Sequence, residues 1–290
     1  MFNRSVGPVT GYFENGRLIS LSVVVLDSGA WFGFVPDDQA KAAAASRGAE
    51  FARQLREISA DVTAQLGRIA ASHSEVVLGS TPWLKQRVTV ARTGTISARL
   101  TIIADQLVKL SLFRDHEDAS QLLDGARRAL TKASQAQTFA AAVHSAPSGD
   151  RIITNIPVFP QGDRAYCGVS ALACVMRLCG LTLDTEEFAA AAGIRFGSTR
   201  KSHIREVYDA AGKEAAVRMF HSTKFEFARA QQTIDAGFPV VVFRRWNQER
   251  DFLHSAFARR IASDSAVELP RPDANDQKNW PRRDGYAHAS

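Results

Sequence analysis

The sequence has few cysteines, and their spacing suits neither disulfides nor a structural zinc site. Its 290 residues include three, at positions 167, 174 and 179. An odd number at these spacings is a poor disulfide framework and does not match paired zinc ligands. The sequence also lacks a Gly-x4-Gly-Lys loop, the usual phosphate cradle of nucleotide-driven proteins. It therefore gives no sign of cross-linking, of a structural zinc or of a bound nucleotide.

Long apolar runs and concentrated charge are equally scarce. The apolar stretch at residues 18–34 is interrupted by Asp27 and does not reach the length of a membrane-spanning helix. The first residues, MFNRSVGPVTG, lack the basic segment and apolar core of a signal peptide, and the compartment stays open. Lysine and arginine outnumber aspartate and glutamate by 36 to 30, but they are scattered along the chain. This pattern favours a mildly basic globular protein over one that binds nucleic acid.

The first half of the chain carries alternating strand and helix patterns. Asn15 and Gly16 stand between apolar, β-branched runs, as in a two-residue hairpin turn. A long helix should follow, because apolar residues recur every three or four positions, at Phe51, Leu55, Ile58, Val62, Leu66 and Ile69. Further strands are predicted within 74–80 and 86–113, and a second helix across 117–136.

These elements predict three regions along the chain. Residues 1–140 should form a small α+β domain without recognisable chemistry, and residues 141–155, which contain Ser-Ala-Pro-Ser-Gly-Asp, should form a linker. The third region, residues 156–290, should contain four helices and then a short apolar strand, FPVVVFRRW. The first of these helices should span 167–179, and the second should be capped by Asp184 or Thr185. A long polar loop is expected over 246–284.

Cys167 is the candidate nucleophile. It follows the turn-like PQGDRAY and leads an apolar helix, and a thiol in the first turn of a helix forms its reactive thiolate more readily. Gln161 stands six residues earlier, where its amide and the Cys167 backbone N–H could both donate to the oxyanion of a tetrahedral intermediate. The alternative is that Cys167 is a small buried packing residue, as we expect for Cys174 and Cys179 inside the helix.

The segment QGDRAYCGVSALA resembles the Gln-x5-Cys-Gly signature of papain-like cysteine peptidases. The likeness is closer to the bacterial branch that processes bacteriocins with double-glycine leaders. It covers residues 156–290 and implies a papain-like α+β fold, with a helical subdomain carrying the cysteine helix and an antiparallel sheet. It further implies that Cys167 attacks a peptide carbonyl, that His288 in GYAHAS is the general base and acid, and that Gln161 contributes to the oxyanion hole. A peptide or protein substrate is implied, and no metal or organic cofactor.

The resemblance leaves some points open. His254 and His203 are the next candidates for the base, and Asp284 could orient the imidazole of His288. Members of the family carry the orienting Asp or Asn a dozen or more residues after the histidine, whereas this sequence ends two residues after it. We therefore expect the C-terminal strands and the orienting residue to lie beyond residue 290. Acyl transfer or amidase chemistry on the same fold, and an inactive peptide-binding module, remain alternatives to peptide hydrolysis.

Overall fold

The computed structural model describes residues 6–14, 16–36, 38–114, 116–146, 149–159, 161, 164, 166–195, 203–245 and 287–289. The described residues form a mixed α and β structure with an antiparallel sheet. The strands are β1 Val9–Glu14, β2 Arg17–Asp27, β3 Ser72–Leu78, β4 Gln86–Thr93, β5 Ile96–Ile103, β6 Leu107–Phe113, β7 Val143–Ser145, β8 Arg151–Ile153, β9 Phe243–Arg245 and β10 Ala287–Ala289. The helices are α1 Ser28–Phe32, α2 Ala40–Ile69, α3 His116–Ser120, α4 Gly125–Arg128, α5 Lys132–Ala141, α6 Cys167–Leu178, α7 Thr185–Ala191, α8 Ile204–Glu214 and α9 Phe227–Asp235.

The chain divides into two compact units that are not continuous in sequence. The first comprises Met1–Leu130 and Pro157–His221, and the second comprises Thr131–Ile156 and Ser222–Ser290. This grouping differs from a division at a linker, because the segment that carries Cys167 belongs to the same unit as the N-terminal sheet. The predicted domain borders, 1–140, 141–155 and 156–290, stay a prediction.

A six-stranded antiparallel sheet, in the order β1-β2-β6-β5-β4-β3, is the centre of the first unit. The predicted hairpin around Gly16 is confirmed, since β1 and β2 pair and Gly16 has a φ of +75°. The predicted stretch 86–113 forms three consecutive strands, β4, β5 and β6, each paired with the next.

Helix α2 covers one face of this sheet, as the apolar periodicity predicts. Five of the six residues named for its apolar side are buried, whereas Ile69 at the helix end is 66% exposed. The sheet contributes apolar side chains from alternate positions to the same core, namely Val25, Ala91, Ala98, Leu100, Val108 and Leu110. Strands β2, β4, β5 and β6 therefore direct one set of side chains toward α2.

The opposite face of the sheet is polar, and it is buried as well. Ser22, Ser111 and Arg99 are neighbours across three strands, and Lys109 pairs with Thr101. All five are buried. A strand that alternates apolar and polar residues ordinarily has a solvated polar face. Here α7 carries the acids that pair with this face.

The N-terminus of α7 satisfies the buried Lys109. Its ammonium lies 2.5 Å from an oxygen of Asp184 and 2.5 Å from an oxygen of Glu187. Asp184 also accepts hydrogen bonds from the hydroxyls of Tyr12 and Ser22, at 2.5 and 2.6 Å. Asp184 is the N-cap of α7, as predicted, and Glu187 accepts its backbone N–H. These contacts fasten α7 to β1, β2 and β6.

The single helix predicted across 117–136 is wrong. The structure has three short helices there, α3, α4 and α5. The buried Arg99 guanidinium donates to the carbonyls of Asp118, Ala119 and Gln121, which ties the end of α3 to the sheet. The Asp124 and Thr131 side chains then cap the next two helices. Long-range contacts to Arg99 and two local caps thus interrupt the helical pattern.

The second unit contains short elements. Strands β7 and β8 form a hairpin within 141–155, where the sequence predicts a linker, and α9 follows further along the chain. Gly237 has a φ of +83°, and a Cβ there would lie 2.0 Å from the carbonyl oxygen of Phe139. The predicted strand FPVVVFRRW is reduced to β9, which pairs with β10. The loop predicted over 246–284 lies outside the described residues.

Replacing Lys109 by methionine should destabilise the protein by about 3–5 kcal/mol, because Asp184 and Glu187 would remain buried without their cation. Urea unfolding followed by circular dichroism measures this. Lys41→Met, at an exposed position of α2, is the matched control and should change stability by less than about 0.5 kcal/mol. Equal stabilities for the two variants would contradict the role given to the buried ion pairs.

In the wild-type protein the contribution of the Lys109 ion pairs to stability should depend on pH, and this dependence should change in Lys109→Met. Burial alone would raise the pKa of Asp184 above 3.8, but Lys109 holds it below that value. Burial alone would lower the pKa of Lys109, but Asp184 and Glu187 raise it above 10.5. The ion pair thus contributes fully from about pH 4 to about pH 10.5, and is lost as the pH falls through the folded-state pKa of Asp184 or rises through that of Lys109.

In Lys109→Met the pKa of Asp184 should rise, because burial remains and the cation is gone. Protonation of Asp184 then removes the cost of burying its unpaired charge. The difference in unfolding free energy between the variant and the wild-type protein should therefore shrink between about pH 7 and about pH 4.5. Urea unfolding of both proteins at the two pH values measures the difference. A deficit of constant size would contradict this electrostatic origin.

Candidate active site

Cys167 is the first residue of α6, as predicted. The helix forms because apolar residues recur on its buried side, namely Val169, Leu172, Ala173 and Met176. Its first internal hydrogen bond joins the Ser170 N–H to the Tyr166 carbonyl at 2.8 Å. Cys167 therefore stands in the first turn, where backbone N–H groups have no carbonyl partner within the helix and favour a negative charge.

The three thiols have different surroundings. Cys167 is half-buried, Cys174 is half-buried and Cys179 is 1% exposed. Burial raises the pKa of Cys174, although its sulfur accepts the Phe159 N–H at 3.4 Å. Burial also raises the pKa of Cys179, to about 11. Low thiolate content at neutral pH makes Cys174 and Cys179 poor nucleophiles.

Tyr208 of α8 lies beside the start of the cysteine helix. Its hydroxyl donates to the Gly168 carbonyl at 2.7 Å. Burial, with a further contribution from the nearby Cys167 and Cys174, raises the pKa of Tyr208 above its usual value of 10.0. The phenol thus remains a neutral donor that joins α8 to the first turn of α6. The sequence gives little signal for this role, because a tyrosine in EVYDAAG is typical of ordinary helix packing.

Arg164 contacts both Gln161 and Tyr166, the residue that precedes Cys167. The Nε of Arg164 donates to the Gln161 backbone carbonyl at 2.8 Å, and its guanidinium lies 4.8 Å from the ring centre of Tyr166. Arg164 is buried and pairs with Glu186 at 2.7 Å and with Asp27 at 3.2 Å. The backbone position of Gln161 is thereby fixed, and the role of its amide in an oxyanion hole stays a prediction.

Opposing effects act on the charges of this cluster. Burial alone would lower the pKa of Arg164, but Glu186 and Asp27 raise it. Burial raises the pKa of Glu186, and Arg164 offsets this rise only in part. Because its guanidinium stays charged, Arg164 is a permanent cation between the carboxyl groups of Asp27 and Glu186. No local sequence pattern predicts this cluster, since Arg164 lies 137 residues from Asp27 and 22 residues from Glu186.

His288 lies in β10, where its Cα pairs with that of Arg244 in β9. It belongs to the second compact unit and Cys167 belongs to the first. The pairing of Cys167 with His288 stays a prediction. Of the other candidates, His203 is the exposed N-cap of α8 and its ring lies 4.7 Å from that of Trp83. His254 and Asp284 lie outside the described residues.

Two negative findings concern the described part of the chain. Among its residues, no group of three or more His, Cys, Asp or Glu side chains is arranged to hold a metal ion. Within the same residues, no helix combines the length and the apolar character that crossing a membrane requires. Three residues of the charged RDHED segment at 114–118, namely His116, Glu117 and Asp118, belong to α3.

Residues 153–266 match the model of the Peptidase_C39 like family. The matched region contains Gln161, Cys167 and helices α6 to α9, and it ends before His288. It spans less than half of the chain. Neither the curated proteins nor the solved structures yield a match. The similarity points to a cysteine peptidase and supports a region of this kind around Cys167.

The surroundings of the three thiols predict the order in which they react. In the folded protein at about pH 8, iodoacetamide should alkylate Cys167 first, then Cys174 and last Cys179, because a thiol with a pKa of about 11 is only about one thousandth thiolate. Peptide mapping by mass spectrometry after timed quenching measures the order. In urea all three should react at similar rates, which is the control. Faster labelling of Cys179 than of Cys167 in the folded protein would contradict the assignment.

Proposed function

We propose that this protein is a cysteine peptidase that hydrolyses peptide bonds through a thioester at Cys167. The observation that carries the proposal is the position of Cys167. It begins a buried apolar helix, it follows a loop whose backbone is held at Gln161, and it lies within the region similar to cysteine peptidases. This is the position at which a helix favours a thiolate.

In the proposed reaction the Cys167 thiolate attacks the carbonyl carbon of the scissile bond. The resulting oxyanion accepts hydrogen bonds from the Cys167 backbone N–H and the Gln161 amide. His288 donates a proton to the leaving amine and the thioester forms. His288 then takes a proton from water, which attacks the thioester and releases the second product as a carboxylic acid. The protein ends as it began, with a Cys167 thiolate and a protonated His288, and the scheme uses no cofactor.

Several features of the described residues support this scheme. Tyr208 donates to Gly168 and holds the first turn of α6 to α8. The high pKa values of Cys174 and Cys179 leave Cys167 as the favoured nucleophile of the three. The proposed base, His288, lies in β10, whose backbone pairs with that of β9. A papain-like α+β fold for residues 156–290 is part of this proposal.

Substitutions at the three proposed residues test the mechanism. Cys167→Ala should abolish cleavage of a fluorogenic peptide mixture, whereas Cys174→Ala, seven residues along the same helix, should retain it. His288→Ala should reduce kcat to near background, with His203→Ala as the control histidine. Gln161→Ala should reduce kcat by about 10²–10³ with little change in KM, since it removes one oxyanion donor. Full activity in Cys167→Ala would refute the mechanism.

A thiol-directed irreversible peptidase inhibitor separates the proposal from its alternatives. For a hydrolase we expect a single adduct on Cys167, found by mass spectrometry, and hydrolysed peptide in its absence. Transfer of the acyl group to an added amine, in preference to water, would instead indicate an acyltransferase. Peptide binding without an adduct and without turnover would indicate a binding module.

A further inference from the structure

The turn that ends β2 contacts Arg164 and Tyr166, which precede Cys167, although this turn lies outside the region similar to the peptidase family. Asp27 is the last residue of β2, and its side chain is 4% exposed. One of its carboxylate oxygens accepts from the Arg164 guanidinium at 3.2 Å and from the Ala30 N–H at 2.8 Å. The Asp27 carboxylate therefore caps α1 and also binds Arg164, three residues before Cys167.

A second contact from the same turn reaches the residue just before the nucleophile. The Tyr166 hydroxyl lies 3.4 Å from the other carboxylate oxygen of Asp27. The tip of its ring is against Gly29, where a Cβ would lie only 2.0 Å from the hydroxyl oxygen. Tyr166 is itself fully buried. The side chain of Tyr166, the N-cap residue of α6, thus packs closely against the turn at Asp27 and Gly29.

Arg164 connects this turn to Gln161 and Tyr166, two described residues that precede Cys167. Its Nε donates to the Gln161 carbonyl, its guanidinium stacks on Tyr166, and Glu186 accepts from the same nitrogen that binds Asp27. The planar fork of a guanidinium makes such contacts in fixed directions, unlike an ammonium. Burial leaves these groups little water to replace a lost partner. A change at Asp27 should therefore alter the loop that presents Gln161 and Cys167.

We propose that Asp27 is a positioning residue for the Cys167 nucleophile and acts through Arg164 and Tyr166. This inference rests on the proposed role of Cys167 in catalysis. It makes the N-terminal sheet a part of the nucleophile site, because β2 supplies the carboxylate that orients the loop. Precise placement of this kind matters because a displacement of about 1 Å can cost about 10²-fold in rate.

Asp27→Asn tests the proposal in the full chain. Asparagine has the same shape and can still cap α1, but it removes the charge that binds Arg164. We expect kcat for peptide cleavage to fall about tenfold or more, with KM changed less than about twofold. We also expect iodoacetamide to alkylate Cys167 about three- to tenfold more slowly, while the rates at Cys174 and Cys179 stay unchanged.

Arg164→Lys provides a second variant, needed if Asp27→Asn does not fold. It keeps a positive charge beside Asp27 and Glu186 and loses the directed bond to the Gln161 carbonyl, so it should change Cys167 in the same way. Arg177→Lys is the matched control. Arg177 also stacks on a tyrosine, Tyr12, but it lies at the other end of α6, and its replacement should leave the Cys167 alkylation rate unchanged.

The alkylation pattern separates positioning from general stability. A purely structural role for Asp27 would speed the labelling of all three thiols together, and that result would overturn the proposal. Unchanged labelling at Cys167 in both Asp27→Asn and Arg164→Lys would also overturn it. Alkylation needs no turnover, so a selective loss at Cys167 supports the positioning role even where the wild-type protein cleaves no peptide. The absence of peptide cleavage by the wild-type protein would refute the proposed function without bearing on the positioning role.

Discussion

The first unit depends on the ion pairs between Lys109 and the N-terminus of α7. An ammonium inside a sheet costs several kcal/mol unless it is paired and hydrogen-bonded. Asp184 and Glu187 supply the paired charges at 2.5 Å each. They also stand at the N-cap and in the first turn of a helix, where the helix dipole favours negative charge. The arrangement satisfies the buried charges only when this turn of α7 lies over the middle of β6.

The same helical turn serves a second cation. Asp184 and Glu187 bind Lys109, whereas Glu186 binds Arg164 at 2.7 Å. Three acids within four residues would repel one another, so each needs a cation nearby. The turn therefore joins the sheet to the nucleophile loop. Fastening α7 to Lys109 also fixes the partner that holds Arg164, and through Arg164 the backbone of Gln161.

Local patterns predict a good part of this structure from the sequence. The apolar stripe of α2, the hairpin at Gly16, the N-cap at Asp184 and the start of α6 at Cys167 all depend on residues close together in the chain. Such patterns report the periodicity of a single element. The nucleophile candidate could be found for the same reason, since helix position and chemistry are both local.

The parts that the sequence does not predict depend on contacts between distant residues. Lys109 and Ser111 alternate with apolar neighbours, which ordinarily indicates a solvated face, and only the acids of α7 that bind Lys109 show that the face is buried. Arg99, which lies on β5, interrupts the helix predicted over 117–136 by donating hydrogen bonds to the carbonyls of Ala119 and Gln121. A single sequence carries no signal for such pairings, because each residue alone is compatible with a solvated position.

The boundary of the family similarity differs from the boundary of the structural unit because the unit depends on contacts between residues that lie far apart in the chain. Similarity over 153–266 follows the segment with the cysteine helix, whereas the charges of that segment find their partners on β2 and β6. Without these strands, Asp184 and Glu187 would stand in one helical turn without Lys109, and Arg164 would lose Asp27. The loop would then have to keep its shape by local contacts alone. Residues that precede the matched region thus take part in the proposed nucleophile site.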